Sequence, residues 1–152
     1  MIEKSFEAKT DNLHLLLDLL ESELEKHGCN MKITTSLLIA IEEIFVNVSK
    51  YAYPNSTGNV TVKFDFIDDD IVFTFIDSGI PFDPVAKQDP DITLNAEDRP
   101  IGGLGIYMVK KTMDEMKYER KDNKNILFMK KRFKNWWMNC WTKQSHMLQK
   151  HI

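Results

Sequence analysis

Apolar residues recur along the chain at two periods, and the switches between them mark out its elements. In residues 37 to 53, LLIAIEEIFVNVSKYAY, Leu37, Ile41, Ile44 and Val48 fall at 3/4 spacing, the stripe that a helix buries. The predicted helix covers residues 32 to 52, and Pro54 with Asn55-Ser56-Thr57-Gly58 stops it. An earlier helix shows Leu13, Leu16, Leu17, Leu20 and Leu24 on one side. Thr10, Asp11 or Asn12 can cap its start, and Gly28 after His27 supplies a left-handed stop.

The period then drops to two. Val60, Val62, Phe64 and Phe66 alternate with polar residues, Asp68-Asp69-Asp70 reads as a turn, and residues 71 to 76 form a continuous apolar run suited to a central strand. Residues 2 to 7 alternate weakly, as an edge strand does. A polar stretch, 83 to 100, holds Pro84, Pro90 and Pro100 and predicts a long loop, the kind that serves as a lid or binding loop. Ile101-Gly102-Gly103-Leu104-Gly105-Ile106 then opens a helix running to Met116. Residues 117 to 122 and 125 to 132 predict a final hairpin about Asp122-Asn123-Lys124-Asn125. Neighbouring strands with helices set apart imply an α+β two-layer sandwich, its helices on one face of a mainly antiparallel sheet.

Composition narrows the class without naming it. A chain of 152 residues, 43% hydrophobic and 28% charged, suits one soluble domain with one core. A net charge of −3 gives no electrostatic case for nucleic acid or an acidic membrane. MIEKSFEAKT has no apolar signal region and no stretch reaches the length of a membrane span, so a cytoplasmic protein is expected. Cys29 and Cys140 make no C-x-x-C pair, which suggests neither a disulfide framework nor a zinc site. The three glycosylation-type sequons, at Asn47, Asn55 and Asn59, are then chance matches. The Asp68-Asp69-Asp70 run matches no EF-hand loop and reads as a solvated hairpin tip.

Three places could carry chemistry. On the central helix Glu43 and Asn47 are i, i+4, and Lys50 continues their line roughly 120° from the apolar stripe. A carboxylate, a carboxamide and an ammonium can activate a hydroxyl, hold Mg²⁺ and steady phosphate. The glycines at 102, 103 and 105 precede a helix, where backbone N–H groups and the helix dipole attract an anion. They form neither a Walker A loop nor the Rossmann spacing. Asp77 ends a buried strand before Ser78-Gly79, where a carboxylate can accept from the exocyclic amine of adenine. Each signal also has a plain structural reading: a solvated helix face, a glycine turn, and a turn Asp capping the next segment.

In combination, Glu43-x-x-x-Asn47, Asp77-x-Gly79-x-Pro81-Phe82 and Gly102-Gly103-Leu104-Gly105 resemble the N, G1 and G2 boxes of the GHKL ATPase superfamily, the Bergerat fold. The resemblance covers residues 5 to 133 and is closest to the RsbW-like anti-sigma-factor serine kinases, through Tyr51-Ala52-Tyr53, Phe82-Asp83-Pro84, Gly-Leu-Gly-Ile and Met113-Asp114-Glu115. It implies ATP and Mg²⁺ as ligands. Glu43 would be the general base, Asn47 a Mg²⁺ ligand, and Asp77 the adenine contact with Gly79 beneath the base. Backbone amides of Gly103, Leu104 and Gly105 would hold phosphates, with Lys50 and Tyr51 near the nucleotide. Glu42 lies about 100° off the Asn47 line, so Glu43 is the choice. Such proteins often carry a Thr beside the adenine in the penultimate strand; this chain has Asn125-Ile126-Leu127-Phe128 there.

The resemblance implies a serine kinase of the partner-switching type, acting on a STAS-fold anti-sigma antagonist, sequestering a sigma factor, and forming a homodimer as relatives commonly do. Two alternatives stand beside it. One is an ATP-binding interaction module without transfer activity, against which Glu43 argues. The other is a detached ATPase domain serving a histidine kinase, although His14 reads as a surface residue and no phospho-acceptor helix pair is seen. Residues 1 to 133 are expected to be the domain. Residues 134 to 152, with Trp136, Trp137 and Trp141, read as an extension: a partner or dimer contact, or more plainly a divergent or read-through tail.

Overall fold

In the computed structural model the described residues are 1–93 and 103–133. The Trp-rich extension and Ile101-Gly102 lie outside them. The elements in chain order are β1 (Ile2–Glu7), α1 (Leu13–Lys26), α2 (Met31–Asn47), β2 (Asn59–Ile67), β3 (Asp70–Asp77), α3 (Leu104–Thr112), β4 (Glu115–Lys121) and β5 (Lys124–Arg132). All five strands are antiparallel neighbours in the order β1-β2-β3-β5-β4. This is the α+β sandwich that the alternating and helical periods imply, with β3 at its centre.

Alternation decides which face is covered. Val60, Val62 and Phe64 of β2, Ile71, Phe73 and Phe75 of β3, and Leu127 and Met129 of β5 are buried, while the residues between them are more exposed. Leu16, Leu20 and Leu24 of α1, Leu37, Ile41, Ile44 and Phe45 of α2, and Ile106 and Val109 of α3 complete the same core. Phe45 meets Phe6 of β1 edge to face, with ring centroids 6.0 Å apart.

Four boundaries differ from the sequence reading, each for a local reason. Asn30 opens α2, its side chain accepting from the Ile33 N–H at 2.9 Å, a cap that the apolar period does not reveal. The predicted long helix is α-helical only to Asn47 and widens into a π turn over Val48–Ala52. The third helix ends at Thr112, because Met113 turns extended and β4 starts at Glu115. The last hairpin turns on two residues, Asp122 and Asn123, both left-handed at φ 50° and 58°, the pattern of a type I′ turn. Asn125 therefore belongs to β5, paired with Arg120 on one side and Asp77 on the other.

Phe45 is fully buried and Ile39 is 52% exposed on the same helix. Phe45→Ala is expected to cost about 3–5 kcal/mol and Ile39→Ala no more than about 0.5 kcal/mol, as read by urea unfolding. Similar costs for both would mean that α2 packs by a different face.

Candidate functional site

A cavity of about 400 Å³ opens where the end of α2, the loop after β3, the start of α3 and the β4–β5 hairpin meet. Its walls are largely apolar, from Ile44, Val48, Phe75, Ile106 and Leu127. Asp77 and Asn125 stand among them, 7% and 6% exposed, and are the buried polar residues of the described structure. An apolar cavity with one buried carboxylate in its wall suits a heteroaromatic ring that carries a hydrogen-bond donor.

The two oxygens of Asp77 have separate duties. Oδ1 accepts from the Gly79 N–H at 2.9 Å and from Asn125 Nδ2 at 2.8 Å. Oδ2 carries no hydrogen bond among the described residues and is the acceptor left for a ligand. The turn-capping and ligand-binding readings of this residue are thus compatible, one oxygen serving each.

The loop after Asp77 is pinned against the end of α2. Ile80 N–H donates to Ala52 O at 2.9 Å, and Ser78 N–H donates to the Tyr53 hydroxyl at 2.9 Å. That hydroxyl donates in turn to Asn59 O at 2.7 Å. Burial pushes the Tyr53 hydroxyl above the ordinary phenol range, against the opposing pull of the Ser78 N–H, so it keeps the proton it donates. Gly79 makes the closeness feasible: a Cβ there would sit 2.4 Å from Ala52 O. Gly79 seats the loop against the turn that follows α2, and Ile80, Pro81 and Phe82 line the cavity.

At the other end, Asn47 bends back along α2, Nδ2 donating to Glu43 O at 2.8 Å. Its Oδ1, at the cavity wall, has no partner among the described residues. Glu43 is half-buried and Glu42 exposed. Among the described residues the Glu43 carboxylate has no hydrogen-bond or ion-pair partner, and it lies against the first turn of α3, where a Cβ on Gly105 would sit 1.9 Å from Oε2. α3 begins from Gly103, left-handed at φ 97°, with no side-chain cap. Its first intrahelical bond runs from Tyr107 N–H to Gly103 O at 3.0 Å, so the N–H groups of its first turn are available to an anion.

Of the residues singled out in the sequence, Asn47, Asp77 and Gly103 line the cavity, while Glu43 and Gly105 lie against each other and are not part of its lining. Tyr51 lines the cavity, although it is 62% exposed. Lys50 is exposed and does not, because the π turn carries it off the Glu43–Asn47 line. Leu104, in the first turn of α3, is exposed and is not part of the cavity lining. Two contributors went unseen in the sequence. Lys87 lines the cavity, with its Nζ 3.5 Å from where a Gly103 Cβ would be, but a lone Lys in a polar loop gives no signal. Asn125 did have one: a polar residue at a position where the strand pattern asks for an apolar one.

Residues 6–131 match the family model described as the histidine kinase-like ATPase domain. The chain is similar to the serine-protein kinase RsbW of Bacillus cereus (strain B4264), 26% identical over 85% of this chain and 83% of that one. The serine-protein kinase RsbW of Bacillus mycoides (strain KBAB4) is 25% identical over the same shares. In fold it resembles the RsbU and RsbW domains of Rv1364c from Mycobacterium tuberculosis, with a TM-score of 0.60 at 14% identity. That match covers 87% of this chain and 32% of that one.

The two close-packed glycines meet different obstacles. Gly79→Ala presses a methyl on backbone and is expected to cost about 1–3 kcal/mol in urea unfolding. Gly105→Ala meets only a movable carboxylate within a helix and should stay within about 1 kcal/mol of wild type. Equal losses would contradict this packing.

Proposed function

The chain belongs to the histidine kinase-like ATPase domain family, and from that premise we propose that it is an ATP-dependent serine kinase of the partner-switching kind. The observation that carries this is the Glu43 carboxylate, unpartnered among the described residues and held against the glycine-rich start of α3, one helical turn from Asn47, which lines the cavity together with Gly103 and Asp77. A binding module without transfer activity would have no use for a carboxylate there.

ATP is the proposed substrate, its adenine between the apolar walls and its 6-amine on Asp77 Oδ2. The triphosphate would run toward the first-turn N–H groups of Gly103, Leu104 and Gly105, where the Lys87 ammonium adds positive charge. Asn47 Oδ1, without a partner among the described residues and one helical turn from Glu43, suits Mg²⁺, an ion that keeps several waters and needs few protein ligands. When bound, that ion would neutralise charge on the phosphate oxygens.

The acceptor is a serine hydroxyl of a STAS-type antagonist. Its oxygen forms a bond to the γ-phosphorus, the bond from that phosphorus to the bridging oxygen of ADP breaks, and Glu43 takes the hydroxyl proton. The loop from Pro81 to Asp89 helps to exclude water, since Asp83 Oδ1 accepts from Val85 and Ala86 N–H and Lys110 Nζ ties Lys87 O and Asp89 to α3. Phosphorylation of the antagonist would leave this chain free to hold a sigma factor. None of the described helices is long and apolar enough to cross a membrane.

Incubation with γ-labelled ATP, Mg²⁺ and STAS proteins of the same genome tests the reading. Label should reach a serine with wild type, and Glu43→Gln should cut the transfer rate by about 10²–10⁴ while nucleotide binding persists. Transfer at the wild-type rate by Glu43→Gln, or label on a histidine, would overturn it.

A further inference from the structure

The wall behind Asp77 is a closed hydrogen-bond circuit. Asn125 Nδ2 donates to Asp77 Oδ1 at 2.8 Å and to Ile80 O at 2.9 Å. Its Oδ1 accepts from the Tyr118 hydroxyl at 2.8 Å and from Arg120 Nη1 at 2.9 Å. Two donated and two accepted bonds fill the amide, so its orientation is set and nothing is left for a ligand. Arg120 Nη1 also donates to Gly79 O at 2.9 Å, which joins the hairpin to the same turn. Asn125 can act on a bound molecule only through Asp77.

Resting on the nucleotide reading above, we propose that Asn125, held by Tyr118 and Arg120, is a positioning residue that sets base choice. It immobilises Asp77 so that Oδ2 meets an amino group at the purine 6-position and discriminates against a 6-oxo purine. Any rotation of the Asp77 carboxylate breaks its bonds to Gly79 N–H and Asn125 together. A 6-oxo purine presents an acceptor where adenine presents its amine, and its nearest donor, the ring N1–H, is displaced along the base edge. A carboxylate free to turn could follow that donor, whereas a pinned one does not. Selection then comes from the fixed direction of Oδ2 rather than from charge alone, because a mobile carboxylate of equal charge would serve both bases.

Calorimetric titration of the full chain with ATP and with inosine triphosphate, both with Mg²⁺, tests this. Wild type should prefer ATP. Asn125→Ala should weaken ATP by about tenfold and inosine triphosphate by less than about threefold, narrowing the preference. Tyr118→Phe keeps the ring and the amide and removes one bond; it should narrow the preference in the same direction by about threefold. It also decides the question alone if Asn125→Ala does not fold. Melting temperatures are read for each variant, since a purely structural role would weaken both nucleotides in proportion. A folded variant that keeps the wild-type ratio overturns the positioning role and leaves the nucleotide reading standing. A wild type that binds both equally overturns the base-choice role alone, whereas one that binds neither nucleotide overturns the reading itself and this role with it.

Discussion

The carbonyl oxygen of Ala52 and the N–H of Ile80 meet at 2.9 Å, and only a glycine at position 79 leaves room for that approach. This contact joins the end of α2, which carries Glu43 and Asn47, to the end of β3, which carries Asp77. It is a backbone pairing backed by a second tie, Ser78 N–H on the Tyr53 hydroxyl, and the two bonds fasten the loop after β3 to the turn after α2. The separation between an acid on a helix and an acid on a strand is thereby a property of the main chain. Side chains can vary around it without changing the length of the slot that they bound.

The π turn follows from the same constraint. An α-helix continued through Val48–Ala52 would carry the Ala52 carbonyl to another azimuth, and the wider turn delivers it to the β3 loop instead. Lys50 goes to solvent in consequence, and Val48 and Tyr51 reach the cavity wall. The atoms that a ligand would find there, Asp77 Oδ2, Asn47 Oδ1 and the Glu43 carboxylate, share a history: each is what remains after a neighbouring atom is committed elsewhere or a glycine clears space. Polar groups left unpaired in this way cost stability, which is why such an arrangement points to a binding partner.

Much of this was legible in the chain. The stripe of Leu37, Ile41, Ile44 and Val48 and the alternation from Val60 to Phe66 imposed helix and strand, because burial on one face leaves no other register. Glu43, Asn47, Asp77 and the glycines were visible as spacing. Local hydrogen-bond competition was not. The Asn30 cap, the two-residue turn at Asp122-Asn123 and the π turn each depend on one side chain or one tertiary contact that periodicity does not register. Lys87 reaches α3 through a loop whose path no local pattern dictates. In the sequence Asn125 marks only the absence of a threonine; its four partners come from β3, β4 and the loop after β3, and only the folded sheet brings them together.

The claim on which the function rests is that Asp77 receives the adenine end of ATP. Calorimetric titration of wild type and Asp77→Asn with Mg²⁺ and ATP addresses it directly. Saturable one-to-one binding by wild type, weakened at least about tenfold in a folded Asp77→Asn, is the expected result. No saturable heat from wild type at millimolar ATP, or equal affinity in the two proteins, would contradict it.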